Sequence, residues 1–308
     1  MPLSAPIPVD ASEPLRVDRS GDERVDDALL GRLRADRSSR VLLVRRDAAP
    51  MRDGRLVLVE AGSPASGDVP VREWAFLGRS ADGAAVLLAV VADDAPDDLV
   101  PDAAWAALRA AGGDLPVTEA EVFTNAVALA GWLRDAPFCP ACGTRTEVRH
   151  AGWSRHCPNC GREHFPRTDP AVIVLVQSAE SDDRILLGAN AAWGGDRYSC
   201  FAGFAEAGES LEDAVRREVG EESGVRLDDI AYRGSQAWPY PRSLMLGFRA
   251  RVIDDDDDAR ADGEEIVEVR WFDREEIGAS LRGEGTAQLP GPASIARRLI
   301  EDWYRGVA

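Results

Sequence analysis

The chain has 308 residues, a length that suggests two domains and room for a small third module. It carries 36 basic and 54 acidic residues, and its net charge of −18 argues against a protein that coats DNA or RNA. Every basic residue is an arginine, which excludes Schiff-base chemistry and a P-loop because both need lysine. No apolar run reaches the roughly 18 residues of a membrane span, and the N-terminus has no secretion-signal pattern. We therefore expect a soluble cytoplasmic protein without a membrane partner.

The first part of the chain, residues 1–135, is predicted to form an α+β domain without a catalytic cluster of its own. Residues 1–40 are polar and acid-rich, and we expect a loosely ordered lead-in there. Strand-like apolar runs follow at 40–45, 55–60, 73–78 and 84–92. Helical patterns cover 102–112 and 118–136, with Thr118 as the predicted N-cap of the second helix.

Two cysteine pairs define a second region, residues 136–166. The pairs "CPACG" and "CPNCG" form a C-x₂-C-x₁₄-C-x₂-C pattern, in which four thiolates close a tetrahedron around Zn²⁺. Because such a site leaves no open position, we expect one structural zinc per chain. The predicted ligands are Cys139, Cys142, Cys157 and Cys160. Zinc modules can also bind nucleic acid, so a zinc-ribbon regulator stays open as a non-enzyme alternative.

The remaining residues, 167–308, alternate between strand and helix patterns. Strands are predicted at 171–180 and 184–189, which form a hairpin, and at 198–204, 243–253 and 265–272. Helices are predicted at 211–223 and 292–307. The acidic run Asp254–Asp258 is expected to be a solvated loop. The fifth cysteine, Cys200, lies in an apolar strand and is interpreted as a core residue.

The helix predicted at 211–223 carries a dense cluster of negative charge. Ser210 with Asp213 forms a capping signal, and Gly224 ends the helix. Its inward apolar stripe continues two turns later into three glutamates, Glu218, Glu221 and Glu222. Like charges at this spacing repel one another, and burying an unpaired ion costs several kcal/mol. A divalent cation would offset that cost, and carboxylate oxygens favour Mg²⁺ or Mn²⁺.

The segment from Gly203 to Val225 resembles the Nudix box, GX₅EX₇REUXEEXGU with U aliphatic, at every defined position. The resemblance implies a metal-dependent hydrolase of nucleoside diphosphates that are linked to another group. It also implies a C-terminal α/β/α sandwich with a mixed sheet, preceded by the zinc ribbon and by an N-terminal α+β domain that is Nudix-like. Within the box, Glu209 is expected to pair with Arg217 and to brace the loop before the helix.

Two further features resemble one branch of that family, the NAD(H) diphosphatases (NADH pyrophosphatases). The ribbon leads directly into "HFPRTDPAVIVLV", and "SQAWPYPRS" at 235–243 resembles the branch marker SQPWPFPxS. Ala237 stands where the branch has proline, which leaves this loop less rigid, and Tyr240 conservatively replaces phenylalanine. The likeness is strongest from Phe138 onward and weak over residues 1–70.

The resemblance assigns roles to individual residues. The catalytic Mg²⁺ or Mn²⁺ would be held by the backbone carbonyl of Ala202 and by the carboxylates of Glu218, Glu221, Glu222 and Glu265. One of these carboxylates would act as the general base, and Glu264 and Glu268 are near alternatives to Glu265. The expected substrate-binding residues are Phe165, Gln236, Ala237, Trp238, Pro239, Tyr240, Pro241, Arg242, Ser243 and Ala296.

The implied reaction is hydrolysis of the diphosphate bond of NAD(H), which yields nicotinamide mononucleotide (NMN or NMNH) and AMP. Removal of NAD caps from RNA 5′ ends is an alternative, as is hydrolysis of another nucleoside diphosphate derivative such as ADP-ribose. Because family members are commonly homodimers, we expect a homodimer. Against the regulator alternative, a decayed enzyme should show a damaged box, and every box position is intact.

Overall fold

The computed structural model describes residues 15–61, 70–253 and 259–307. They form two compact units, divided between Arg167 and Thr168. The first 14 residues of the predicted lead-in and the predicted loop at Asp254–Asp258 lie outside the described residues. In the part of the chain that is described, no helix combines the length and the apolar character needed to cross a membrane.

The described residues up to 135 form two sheets within the first unit. The strands are β1 (Val17–Asp18), β2 (Arg40–Val44), β3 (Ala48–Arg52), β4 (Arg55–Leu56), β5 (Val59–Glu60), β6 (Val71–Ser80), β7 (Ala85–Val91) and β8 (Ala104–Ala107). The helices are α1 (Leu29–Ala35), α2 (Leu108–Ala111) and α3 (Val117–Asp135), with 3₁₀ turns at Gly21–Val25 and Asp97–Leu99. Strand order is β1-β6-β7-β2-β5 in the larger sheet and β4-β3-β8 in the smaller one.

The centre of the larger sheet is the parallel pair of β2 and β7, in register from Arg40↔Val86 to Val44↔Val90. All seven residues of β7 are buried. Such a continuous apolar run is typical of a strand that is covered on both faces. Helix α3 packs against β2, β6 and β7 and contributes the fully buried Phe123 to the core of this unit.

The predicted strand at 55–60 and the predicted lead-in differ from the structure. The strand divides after Leu56, because β4 pairs with β3 whereas β5 pairs with β2 in the other sheet. The described part of the lead-in contains regular structure from Val17 onward, since β1 pairs with β6 and α1 buries Leu29 and Leu33. Leu29 and Leu33, apolar residues within this acidic stretch, pack against buried residues of the larger sheet.

The helix predicted at 102–112 is wrong over its first half. Residues 104–107 form β8, which pairs antiparallel with β3 from Ala48↔Ala107 to Met51↔Ala104. Alanine-rich sequence favours helix intrinsically, but tertiary pairing overrides that weak preference. The predicted N-cap of α3 is also wrong, because the capping position is Pro116 and Thr118 lies inside the first turn.

The cysteine-rich region forms a small three-stranded sheet in the order β11-β10-β9. Its strands are β9 (Glu147–Arg149), β10 (Ser154–His156) and β11 (Glu163–His164), with a 3₁₀ turn at His150–Gly152. Arg155 is 1% exposed, and its Nη2 donates to Glu73 Oε1 at 2.9 Å and to the Leu133 carbonyl at 2.6 Å. Trp153 Nε1 donates to the Phe76 carbonyl at 2.8 Å. These side chains anchor the ribbon to β6 and α3.

The described residues of the second unit form a mixed sheet with helices on both faces. The strands are β12 (Asp169–Gln177), β13 (Arg184–Asn190), β14 (Phe201–Phe204), β15 (Leu227–Trp238), β16 (Ser243–Val252) and β17 (Ile266–Asp273). The helices are α4 (Leu211–Ser223), α5 (Arg274–Leu281) and α6 (Ile295–Tyr304). Strand order is β15-β16-β12-β13-β17, and β14 pairs with β12. Only β12 and β16 pair in parallel within this sheet as described.

Two apolar clusters lie on opposite faces of this sheet. On one face α4 packs against Val172, Val174 and Val176, and on the other α6 packs against Ile173 and Leu175. The alternation follows directly from the period-two side-chain pattern of β12. The predicted α/β/α sandwich with a mixed sheet is confirmed, as are the predicted β12–β13 hairpin and both predicted helices.

One end of the sheet collects most of the predicted site. Asp169 at the start of β12 is paired with Ser243 at the start of β16, and Ala171 with Phe204 at the end of β14. Strand β13 runs antiparallel to β12, so it ends on the same side, at Asn190, which pairs with Ile266 of β17. The box loop after β14, the β15–β16 turn and the segment before β17 therefore share this end.

Helix α5 is absent from the sequence prediction. Its N-cap Asp273 accepts a hydrogen bond from the Glu276 N–H at 2.8 Å, and Glu276 Oε2 accepts from the Asp273 N–H at 3.1 Å. This is a capping box, and its D-x-x-E signal stands in the sequence. A search for caps as well as for apolar periodicity would have found this helix.

Candidate active site

Helix α4 begins and ends where its caps predict. Ser210 Oγ accepts a hydrogen bond from the Asp213 N–H at 3.2 Å, and Gly224 ends the helix with a φ of 73°. Ala214, Val215 and Val219 are fully buried against the sheet. This register turns the glutamates of the last turns partly toward the interior.

Glu222 is the buried carboxylate of the site. It is 5% exposed, and its Oε2 has no hydrogen-bond partner among the described residues. Burial raises its pKa to about 8, helped by the neighbouring charges of Glu265, Glu218 and Asp262, although a hydrogen bond from the Ala202 N–H works in the opposite direction. The site thus holds a carboxyl group whose surroundings disfavour its charged form.

Glu218 is the second inward carboxylate, and its side chain is 14% exposed. Burial raises its pKa, while a hydrogen bond and the charge of Arg217 lower it. Its carboxyl group lies directly against the backbone of Gly203 on β14. A Cβ atom at position 203 would fall 1.9 Å from Glu218 Cδ, so the glycine of the box permits this close approach.

Glu209 and Arg217 form the predicted brace. Arg217 Nε donates to Glu209 Oε1 at 2.8 Å, and Nη2 donates to Glu209 Oε2 and to the Phe204 carbonyl, both at 2.9 Å. The hydrogen bonds from Arg217 lower the pKa of Glu209 to about 2, so it stays ionised. This two-pronged contact ties the box loop to α4 and to the end of β14.

Glu221 lies differently from the sequence expectation. Its side chain is 61% exposed and pairs with Arg217 Nη1 at 3.2 Å, so it does not lie on the half-buried face. Successive helical residues are rotated by about 100°, which places Glu221 at the margin of the stripe that contains Glu218 and Glu222. The predicted inward triplet is in fact an inward pair with an exposed third member.

Of the three downstream glutamates that the sequence offers as metal ligands, Glu264, Glu265 and Glu268, Glu265 is the one whose charge acts on the box. Its charge raises the pKa of both Glu222 and Glu218. Glu268 instead hydrogen-bonds Tyr198 and raises the pKa of that phenol, after burial as the main cause. Glu268 therefore has the Tyr198 hydroxyl as a partner.

Asp262 is a site residue that sequence reasoning missed. Its Oδ1 accepts hydrogen bonds from the N–H groups of Glu264, Glu265 and Ile266 at 2.8, 3.0 and 2.9 Å. These bonds fold the turn that carries Glu265. The D-G dipeptide at 262–263 was a signal for this turn.

The carboxylates suit a hard divalent ion, though they are not closely packed. Among the described residues, the four cysteines are the only group with three or more ligand atoms within 4.8 Å of one another. The fit rests on Glu222, whose buried oxygen lacks a partner among the described residues and whose pKa is raised first by burial and then by the neighbouring negative charges. Carboxylate and carbonyl oxygens are the ligands that Mg²⁺ and Mn²⁺ take in proteins.

The predicted substrate segment forms the end of a hairpin. Gln236, Ala237 and Trp238 belong to β15, and Trp238 pairs with Ser243, so Pro239–Arg242 make the turn. The rings of Trp238 and Tyr240 meet edge to face, with centroids 5.3 Å apart.

Several members of the predicted substrate set have structural contacts. Both amide atoms of Gln236 are used, by the Ala293 carbonyl and the Ile295 N–H, each at 2.7 Å. Arg242 Nε contacts Asp169 Oδ2 at 2.7 Å. The other three predicted residues of the turn, Pro239, Pro241 and Ser243, differ in their exposure to solvent. Pro239 and Ser243 are buried, and Pro241 is exposed.

Two predicted substrate residues lie outside this hairpin. Ala296 belongs to α6 and is 4% exposed on its buried face, where its carbonyl lies 3.9 Å from Cys200 Sγ. Cys200 is therefore the core residue that the sequence predicted. Phe165 belongs to the first unit, where it follows β11 and is 62% exposed.

The four ribbon cysteines form a structural zinc site. Cys139 and Cys160 Sγ are 3.6 Å apart, and Cys142 and Cys157 Sγ are 3.5 Å apart. A tetrahedron with Zn–S bonds near 2.3 Å requires sulfur separations of about 3.8 Å, so these positions fit the ion. All four are free thiols, and the pattern leaves no open coordination position.

We expect Gly203→Ala to lower turnover about 100-fold, the order that a displacement of about 1 Å in an active site can cost. The new methyl group would overlap Glu218 and push its carboxylate away from Glu222. The matched control is Gly220→Ala on α4, where a Cβ meets nothing closer than 3.9 Å. Steady-state kinetics compare the two, and equal activity in both variants would contradict this account of Glu218.

Three family models match this chain. The NUDIX domain matches residues 167–290, the NADH pyrophosphatase zinc ribbon domain matches 134–165, and the NADH pyrophosphatase-like rudimentary NUDIX domain matches 37–132. The chain belongs to the Nudix hydrolase family, in the NADH pyrophosphatase branch that carries a zinc ribbon.

The chain is also similar to individual proteins and to a solved structure. The NAD-capped RNA hydrolase NudC of Mycobacterium bovis (strain BCG / Pasteur 1173P2) is 40% identical over 284 residues, 88% of this chain and 85% of that protein. The NAD-capped RNA hydrolase NUDT12 of Homo sapiens is 37% identical over 198 residues, 61% of this chain and 42% of that protein. A crystal structure of a NUDIX hydrolase from Nitrosomonas europaea covers 55% of this chain and 93% of that one, with 23% identity and a TM-score of 0.39.

Proposed function

We propose that this protein hydrolyses the diphosphate bond of NAD(H) to NMN(H) and AMP. The observation that carries the proposal is Glu222, a buried carboxylate with an unpartnered oxygen, surrounded by the charges of Glu218 and Glu265. Such a cluster is suited to hold divalent cations on a substrate diphosphate. The membership of the chain in the NADH pyrophosphatase branch supports the same substrate class.

In this proposal the backbone carbonyl of Ala202 and the carboxylates of Glu218, Glu222 and Glu265 hold the catalytic Mg²⁺ or Mn²⁺. When bound, such an ion offsets the charge of the diphosphate and lowers the pKa of water. Glu221 is proposed as the further member of the set, and its exposed carboxylate has access to water. Arg217 keeps Glu218 in place through a 2.9 Å contact.

The protein itself must also orient the dinucleotide. Strands β14 and β16 flank β12 at the site end of the sheet, and neighbouring strands lie about 4.8 Å apart. The box loop and the aromatic turn are therefore separated by only two strand spacings. We propose that Trp238 and Tyr240 stack on the nicotinamide ring while the diphosphate lies at the carboxylates. Stacking on an aromatic side chain is worth roughly 1–3 kcal/mol per base.

The direct test is a product assay with Mg²⁺ or Mn²⁺ over four substrates: NAD⁺, NADH, ADP-ribose and NAD-capped RNA. We expect NMN or NMNH together with AMP from the dinucleotides, and slower turnover of ADP-ribose, because it lacks the nicotinamide ring. Equal turnover of ADP-ribose would contradict the stacking role of the turn. A lack of turnover for all four would overturn the proposed activity and favour the zinc-ribbon regulator.

A second candidate function is the removal of NAD caps from RNA. The relatives NudC and NUDT12 are named NAD-capped RNA hydrolases. The same diphosphate bond is cleaved in both substrates, so the same carboxylates would serve. The net charge of −18 opposes a long RNA chain electrostatically. We therefore expect cleavage of a capped RNA to fall as the RNA lengthens at low salt, which the RNA arm of the assay measures.

We further propose a cytoplasmic homodimer organised as residues 1–135, 136–166 and 167–308. The four thiols arranged for zinc support a reducing compartment, because such thiols persist where disulfides do not form. The proposal of a homodimer is based on the resemblance to a family whose members are commonly homodimers. Light scattering of the zinc-loaded protein tests it, and a monomeric mass at micromolar concentration would contradict it.

A further inference from the structure

Asn190, the last residue of β13, makes two side-chain contacts at the site end of the sheet. Its Nδ2 lies 3.3 Å from Glu265 Oε1, and its Oδ1 accepts a hydrogen bond from the Ala192 N–H at 2.9 Å. The same residue accepts the Trp193 N–H at its backbone carbonyl, at 3.0 Å. Asn190 therefore closes a turn on one side and contacts a carboxylate on the other.

The backbone contact settles which way the amide points. The Ala192 N–H can only donate, so the atom of Asn190 that faces it must be the oxygen. The amide NH₂ then faces Glu265, where a carboxylate oxygen accepts. The opposite orientation would set two donors against each other and two acceptors against each other, so both contacts agree on one orientation.

The backbone of Glu265 is also held by two hydrogen bonds, one from the residue after Asn190 and one to Asp262. The Ala191 N–H donates to the Glu265 carbonyl at 2.9 Å, and Asp262 Oδ1 accepts the Glu265 N–H at 3.0 Å. The β13–β17 pairing shifts register between Ala189 and Asn190. Such a bulge re-aims the side chains beside it and is common next to active sites. These backbone contacts place the Glu265 side chain beside Asn190.

We propose that Asn190 is a positioning residue that holds the Glu265 carboxylate toward Glu222 and Glu218. This inference rests on the proposed function, in which Glu265 holds a catalytic cation. Glu265 is exposed on a flexible stem, and the two other carboxylates repel it. A neutral amide donor fixes its direction but leaves its whole negative charge available to a cation. In contrast, Arg217 partly neutralises the carboxylate that it holds, Glu218.

The test is Asn190→Ser in the full-length, zinc-loaded protein, with Mn²⁺ as the probe. Serine can still cap the turn but is too short to reach Glu265. Free Mn²⁺ is measured by electron paramagnetic resonance, and binding that disappears in Glu222→Gln is assigned to this site. Loss of a group that orients a metal ligand costs 10- to 100-fold in affinity, so we expect Mn²⁺ binding about 10-fold weaker. The KM for NAD⁺ at saturating Mn²⁺ should stay unchanged while kcat falls.

Gly194→Ala is the matched control in the same loop. Gly194 has a φ of 65° with nothing within 4 Å of its Cβ position, so alanine strains the loop without contacting Glu265. Its Mn²⁺ affinity should equal that of the parent. Parent-like Mn²⁺ binding in Asn190→Ser, or equal weakening in Gly194→Ala, would overturn the inference. A parent protein that binds Mn²⁺ through Glu222 but cleaves no dinucleotide would overturn the proposed function and leave the role of Asn190 to be judged by the Mn²⁺ shift.

Discussion

Glu222→Gln should reduce turnover of NAD(H) by at least about 10³-fold while the protein stays folded. A metal ion contributes several kcal/mol to transition-state stabilisation, and about 4 kcal/mol corresponds to about 10³ in rate. Glutamine keeps the shape of the side chain and an acceptor for the Ala202 N–H. It removes the negative charge at the buried centre of the cluster. Steady-state kinetics at saturating Mn²⁺ measure the loss.

The same substitution should stabilise the fold at alkaline pH. The pKa of Glu222 is raised from 4.5 to about 8 in the folded protein, so its stability contribution is complete below pH 4.5 and is lost as the pH rises toward 8. Each pKa unit corresponds to about 1.4 kcal/mol. In the zinc-loaded protein without added Mg²⁺ or Mn²⁺, Glu222→Gln should melt at a higher temperature than the parent at pH 8, and this difference should shrink near pH 5.

The matched control for this prediction is Glu264→Gln. It makes the same chemical change in the turn that carries Glu265, at an exposed side chain. We expect near-parental kinetics and an unchanged dependence of melting on pH. Near-parental turnover in Glu222→Gln would contradict the assignment of the cluster as the catalytic centre.

Cys157→Ser should abolish zinc binding and unfold the ribbon. Cys157 is fully buried, and its Sγ lies 3.5 Å from that of Cys142. In zinc-finger peptides, structural zinc contributes about 10–16 kcal/mol of binding free energy at neutral pH. Three remaining thiolates cannot close the tetrahedron, so we expect zinc to fall from one ion per chain to near zero. Elemental analysis and calorimetric melting measure both effects.

Cys200→Ser is the matched control for the zinc prediction. Cys200 is buried in the core beneath α6, so serine there should cost stability but leave the zinc content at one per chain. A Cys157→Ser protein that is metal-free and melts like the parent would contradict a structural zinc. Unfolding of the ribbon should also destabilise β6 and α3, because Arg155 links β10 of the ribbon to Glu73 and to the Leu133 carbonyl.

Local signals in the sequence predicted α4 closely because its ends are set by adjacent residues. Ser210 and Gly224 cap it through bonds that span only three or four residues. Glu222 was correctly placed for the same reason. Glu221 was not, since one residue turns a helix by about 100°. Residues at i, i+3 and i+4 share a broad helix face, and a residue at the edge of that face, such as Glu221, can be exposed.

Non-local pairing explains what the sequence pattern missed. Ala104–Ala107 are a strand because β3 lies beside them, and residues 55–60 divide because two sheets compete for them. Gln236 is predicted to contact the substrate, and in the structure its amide bonds the Ala293 carbonyl and the N–H of Ile295, the first residue of α6. The contact between Asn190 and Glu265 joins residues 75 positions apart, which no spacing rule predicts.

The most direct test of the carboxylate centre is an anomalous difference map from a crystal soaked in Mn²⁺. We predict a peak coordinated by Glu222 together with Glu218 or Glu265 and the carbonyl of Ala202. The zinc of the ribbon provides an internal reference for the height of that peak. A map with the zinc peak present and no manganese at Glu222 would contradict the account.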